Sequence, residues 1–109
     1  MPASPEAAAC AEIDAAGGLA FDSSRSAALN AIASRPNLSH TAQVHLVSTV
    51  FRRLSFEDSQ MSVLRTLIAN ESFSNAAKQT LLANISKLHF DSTKSALLQL
   101  LNNRGELKA

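Results

Sequence analysis

A chain of 109 residues, 46% of them hydrophobic and 17% charged, is long enough for one domain with a buried core and too apolar to remain disordered. Ten Lys and Arg against nine Asp and Glu leave a net charge of +1 with the signs mixed along the chain, which is no basic footprint for nucleic acid. Trp and Tyr are absent, which argues against base stacking; the lone Cys10 excludes an internal disulfide, and no run approaches the roughly 20 apolar residues of a membrane span.

From Met1 to Gly18 there is neither a basic n-region nor a sustained apolar run, so the stretch is not read as a secretory leader. A soluble, cytoplasmic protein is the default expectation. Within this segment Ala9, Cys10 and Ile13 keep the i, i+1, i+4 spacing of one helical face before Gly17 and Gly18 stop it. Residues 1–18 therefore read as a degenerate half-repeat. Cys10 reads as a small buried apolar side chain rather than a nucleophile, because no His is recognisably paired with it.

From residue 19 the chain nearly copies itself at a step of 34–35 residues, the period of a helix-pair repeat. Leu19-Ala20-Phe21-Asp22, Leu54-Ser55-Phe56-Glu57 and Leu88-His89-Phe90-Asp91 align residue for residue. Each predicts a helix start, with Asp22 or Asp91 accepting from the first free backbone N–H groups and Ser55 or Glu57 doing so in the middle copy. Behind these starts, Ala28, Leu29 and Ile32, then Val63, Leu64 and Leu67, then Leu97, Leu98 and Leu101 predict helices over 22–34, 57–69 and 91–102. A second kind of helix, opened by Leu38-Ser39 and Phe73-Ser74, is predicted over 39–53 and 75–87. Its apolar faces are Ala42, Leu46, Val47, Val50 and Ala77, Leu81, Leu82, Ile85. Pro36 and Asn37, and then Asn70, Glu71 and Ser72, supply the turns.

The result is one all-α domain over residues 1–109, with a half-repeat at 1–18, repeats at 19–53 and 54–87, and a truncated third at 88–109. Five or six short helices in antiparallel pairs form either an α-α superhelix-like array or a compact bundle. Phe21, Phe56 and Phe90, one position ahead of each acidic start, are expected to plug the junction with the preceding helix. On that expectation Phe56→Ala would cost about 3–5 kcal/mol.

The pattern Leu-x-Phe-Asp-x-x-Lys-x-x-x-Leu at Leu88 to Leu98, with its cousins at Leu19 and Leu54, is similar to the helical repeats of the family catalogued as domain of unknown function 4476. There a Phe-Asp turn opens one helix and a Phe-Ser or Leu-Ser turn the next, as at Phe73-Ser74 and Leu38-Ser39. The resemblance covers residues 19–102. The middle copy departs from it at Glu57-Asp58 and with Gln60 in place of the basic residue. The family has no established activity, so the resemblance implies a fold and no reaction.

No residue set predicts catalysis, a cofactor or a metal. His40 and His45, five apart, point about 140° away from each other on a helix and cannot share an ion. Asp22, Glu57 and Asp91 resemble a carboxylate set, but their place at helix starts favours capping over acid–base work. The expected function is a non-catalytic protein-interaction or assembly module. Two surfaces are candidates for the partner: a ridge of Val44 and Phe51 on helix 39–53, and the strongly apolar helix 91–102 with Leu97, Leu100 and Leu101, which invites a partner chain or a second copy. One alternative is a small-ligand-binding or enzymatic bundle with a pocket between helices. The other, a weak nucleic-acid binder, needs a stripe assembled from Arg25, Arg35, Arg52, Arg53, Arg65 and Lys78.

Overall fold

The computed structural model describes residues 4–105. All six helices are present: α1 Pro5–Gly17, α2 Asp22–Ala33, α3 His40–Arg53, α4 Glu57–Ala69, α5 Asn75–Asn84 and α6 Asp91–Arg104. A 3-10 turn, Ile85–Lys87, finishes α5 where sequence spacing predicts continuous helix. Residues 1–3 of the half-repeat and 106–109 of the truncated third repeat lie outside the described residues.

The odd-numbered helices share one start. Ser4, Ser39 and Ser74 each hold extended backbone, and each hydroxyl oxygen accepts from the amide three residues on, at Ala7, Ala42 and Ala77, over 3.1 Å. The three serines stand 35 residues apart. Ser4 thus marks the N-terminal segment as a true member of the repeat, with its start in register and its apolar face degraded.

In the even-numbered helices the cap is one residue earlier than expected. Phe21, Phe56 and Phe90 are themselves the N-caps, with extended backbone and no side-chain hydrogen bond, and their carbonyls accept from Arg25, Gln60 and Lys94. Asp22, Glu57 and Asp91 are therefore the first helical residues and leave their own helix ends uncapped.

Packing divides the helices into two layers. Helices α1, α3 and α5 stack on one another in the first, α2, α4 and α6 in the second, and packing of α1 on α2, α2 on α3 and α3 on α4 joins the layers. Helix α6 has no substantial packing against α1 or α2, so the pairs form an open array and do not curl into a closed bundle. The molecule measures 45 × 34 × 19 Å, the short dimension being that of two helix layers.

The core runs along the seam between layers, with Ile13, Leu29, Leu46, Val47, Val50, Val63, Leu64, Leu67, Phe73, Leu81 and Leu97 fully buried. Among the described residues only the middle pair, α3 and α4, is covered on both sides. At α1 the glycine serves contact rather than termination: Gly17 is the last helical residue, and a Cβ there would stand 2.9 Å from Thr49 Cγ2 and 3.2 Å from Arg53 Cγ. It lets α1 lie close against α3. The α2–α3 turn rests on Asn37, whose positive φ of 59° suits Asn better than most residues, and whose amide donates to Ser72 Oγ at 3.1 Å in the next turn.

Candidate interaction surface

Because the chain runs up one layer and down the other, all three even-numbered helices begin at the same edge of the array. That edge carries Phe21, Phe56 and Phe90, which are 72%, 65% and 61% exposed. They do not plug the helix junctions. Leu54 and Leu88, two residues before Phe56 and Phe90, occupy that space and are buried. A side chain at the N-cap lies beside the open end of its helix, in solvent; the one-residue shift of the cap is what turns these rings outward. Stacked helices sit about 8–10 Å apart, so the three rings form a row roughly 20 Å long.

The acidic residues beside the first two rings bind the following repeat. Asp22 accepts from the Ser55 amide at 2.6 Å and the Ser59 hydroxyl at 2.5 Å, and Glu57 accepts from the amides of His89 at 2.5 Å and Phe90 at 3.4 Å. Arg25 steadies the first of these links, donating to the carbonyls of Leu19 and Ala20 at 2.8 and 3.2 Å and to Asp22 at 3.4 Å. Gln60, the middle-repeat counterpart of Arg25, donates to the equivalent carbonyl of Leu54 at 3.2 Å. These bonds fix the backbone that presents Phe56 and Phe90.

Burial alone would raise the Asp22 carboxyl, but hydrogen bonds from Ser59, Ser55 and Arg25 together outweigh it and hold the group below the ordinary Asp value. Glu57 behaves alike: desolvation pulls up, and bonds from the His89 amide, Thr93 and the Phe90 amide pull further down. Both groups therefore bind protons less well folded than unfolded. Their stabilisation is complete above the ordinary carboxylate range, near about pH 4, and is lost as the pH falls through the lowered folded values. Asp22→Asn is expected to lower the urea midpoint at neutral pH, and the gap to the parent is expected to narrow steadily as the pH falls below the ordinary carboxylate range. A difference that persists undiminished in acid would show that the charge of Asp22 is immaterial.

The remaining sequence candidates are dispersed. Val44 and Phe51 are half-buried, Phe51 against the core. Leu97 and Leu101 are buried in the seam, Leu100 is half-buried against it, and the exposed leucine of α6 is Leu98. Helix α6 rests on α4 through Leu97 and Leu101, which leaves Leu98 turned away. The six basic residues do not line up. Arg25, Arg52 and Arg53 lie near the phenylalanine edge and Arg65 in the interior of α4, while Arg35 and Lys78 lie towards the opposite edge, and Arg35 is paired with Glu12.

Cys10 is half-buried against the core, and its thiol is pushed up by burial and by the nearby charges of Glu6 and Asp14, which disfavours the thiolate. His45 Nε2 lies 2.7 Å from Asp14 Oδ1 and ties α3 to α1, a pairing between repeats that no spacing within a helix could reveal. Among the described residues no three His, Cys, Asp or Glu side chains gather as a metal site, and no helix is long and apolar enough to cross a membrane.

No family model, curated protein or solved structure matches the chain. The likeness to domain of unknown function 4476 rests on the repeat turns alone. What the fold defines is a class: a short all-α array of helix-pair repeats.

Proposed function

We propose that this protein is a non-catalytic interaction module that holds a partner protein along the edge formed by Phe21, Phe56 and Phe90. The observation that carries the reading is the exposure of the same aromatic residue at the same place in all three repeats, although each would gain by burial. Exposed phenylalanines on a soluble surface are costly, and aligned ones make the kind of apolar patch a partner covers. Arg52, Arg53, Lys87 and His89 flank the row and are exposed, giving it the polar rim of an interface. The module works without a cofactor on this reading, in a soluble compartment that is the cytoplasm by default.

A photoreactive phenylalanine analogue placed at position 56 in living cells tests it. The expected result is a discrete crosslinked species that disappears when Phe21 and Phe90 are both changed to Ser, with the melting temperature of the chain unchanged. Absence of any adduct, or an adduct indifferent to the other two rings, would remove the row as the contact surface.

A further inference from the structure

The two ends of the array expose what its interior buries. Seven residues after each acidic start stand Leu29, Leu64 and Leu98. The first two are wholly buried beneath the next repeat, whereas Leu98 is 49% exposed, with nothing over it among the described residues. The opposite end shows the complement. Leu54 and Leu88 are buried against the preceding repeat, but Leu19 is 42% exposed. It lines an open apolar groove of about 410 Å³ between α1 and α2, together with Ala15, Ala28, Ala31 and Ile32, flanked by Glu12 and Arg35.

The polar contacts are unfinished in the same register. Asp22 takes the amide of Ser55 and Glu57 takes that of His89, while Asp91, third in the series, accepts no hydrogen bond among the described residues. Ala20 stands where Ser55 and His89 stand in the later copies, and its amide has no partner among the described residues. At the other edge, Asn70 donates to the carbonyls of Ala33 and Arg35 at 2.8 Å each, and Arg104 to those of Ile68 and Asn70 at 2.8 and 3.1 Å. Each repeat thus closes the helix end of the one before it. Arg35 is the first-repeat counterpart of Asn70.

We propose that copies of this chain stack end to end, the α6 face of one against the α1–α2 face of the next, in the register its own repeats use. Leu98 enters the groove beside Leu19 as Leu29 and Leu64 enter the interior junctions, and Asp91 takes the amide of Ala20. The contact is head-to-tail and continues one interface already present twice in the molecule. A two-fold pairing of α6 with α6 would meet neither Leu19 nor Ala20. The inference does not depend on the phenylalanine row, although stacking would lengthen it.

Light scattering on the full chain from micromolar to millimolar concentration tests the proposal. The average mass should climb past two copies without a plateau. Leu98→Glu and Leu19→Glu should each give monomers, folded by circular dichroism since both side chains are half-exposed. Their equimolar mixture should form a dimer and nothing larger, because each supplies the intact end the other lacks. Asp91→Ala should weaken association about tenfold, as expected for loss of one charged hydrogen bond. Replacing all three of Phe21, Phe56 and Phe90 by Ser should leave the curve in place. A single-copy mass throughout would overturn the proposal, as would a plateau at two copies with the mixed variants still monomeric. Loss of assembly in the phenylalanine variant would assign the contact to that edge instead.

Discussion

Phe73→Ala is expected to destabilise the domain by about 3–5 kcal/mol, while Phe56→Ala, the same chemical change seventeen residues earlier, should stay within about 0.5 kcal/mol of the parent. Phe73 is the largest of the fully buried side chains and sits in the α4–α5 turn, its amide donating to Asn70 at 3.0 Å. Removing its ring leaves a cavity beneath the Ser74 cap of α5. Against a total of about 5–15 kcal/mol for a domain of this kind, the loss is a large fraction of the stability. Thermal unfolding followed by circular dichroism should show Phe73→Ala melting on the order of 20 °C lower, with Phe56→Ala superimposable on the parent. Equal losses in the two variants would put both rings in the core and remove the exposed edge.

The contrast rests on one residue of register. At the α5 start the phenylalanine precedes the N-cap, Ser74, and is held inside; at the α2, α4 and α6 starts the phenylalanine is the N-cap and is held outside. Apolar periodicity located all six helices, because the apolar faces at Ile13, Leu29, Leu46, Leu64, Leu81 and Leu97 are what the seam between layers buries. It could not set the cap to a single residue. Phe-Asp offers a plausible capping carboxylate and an apolar residue before it, and nothing local shows that the carboxylate is taken by a neighbour 33 residues on.

The same limit explains the other departures. Sequence spacing aligned Asp22 with Glu57 but not Asp22 with the Ser55 amide, because contacts between repeats lie across the stack. Leu98 belongs to the legible stripe of α6, yet its exposure follows from no described helix lying on its outer side, a property of the array and not of the helix. Leu97 and Leu101 belong to the same stripe and are buried because α4 covers them. Ser4 was legible in principle, standing 35 residues before Ser39. Its helix is so rich in Ala that the face of Ala9, Cys10 and Ile13 does not mark where it starts.

Gln43→Leu is expected to cost about 2–4 kcal/mol, although it places an apolar residue at a fully buried position. The Gln43 amide bridges two repeats: Nε2 donates to the carbonyls of Leu38 at 2.8 Å and Ser72 at 2.7 Å, and Oε1 accepts from the Ser74 amide at 2.9 Å. Leucine has a similar length and supplies none of these, so the buried Ser74 N–H loses its acceptor where water does not reach it. Both capping turns, Leu38-Ser39 and Phe73-Ser74, hang on this one side chain, which makes it the polar counterpart of the Phe73 anchor. Gln43→Glu would keep the acceptor for Ser74 but set an oxygen against two carbonyls, and should cost at least as much at neutral pH. Urea denaturation of the two variants gives the energies, and hydrogen exchange at Ser74 gives the cause. In Gln43→Leu that amide should exchange much faster than the amides of the α3 interior. If it stays protected and the variant unfolds at the parental midpoint, the repeats are held together by apolar packing alone and the bridge contributes nothing.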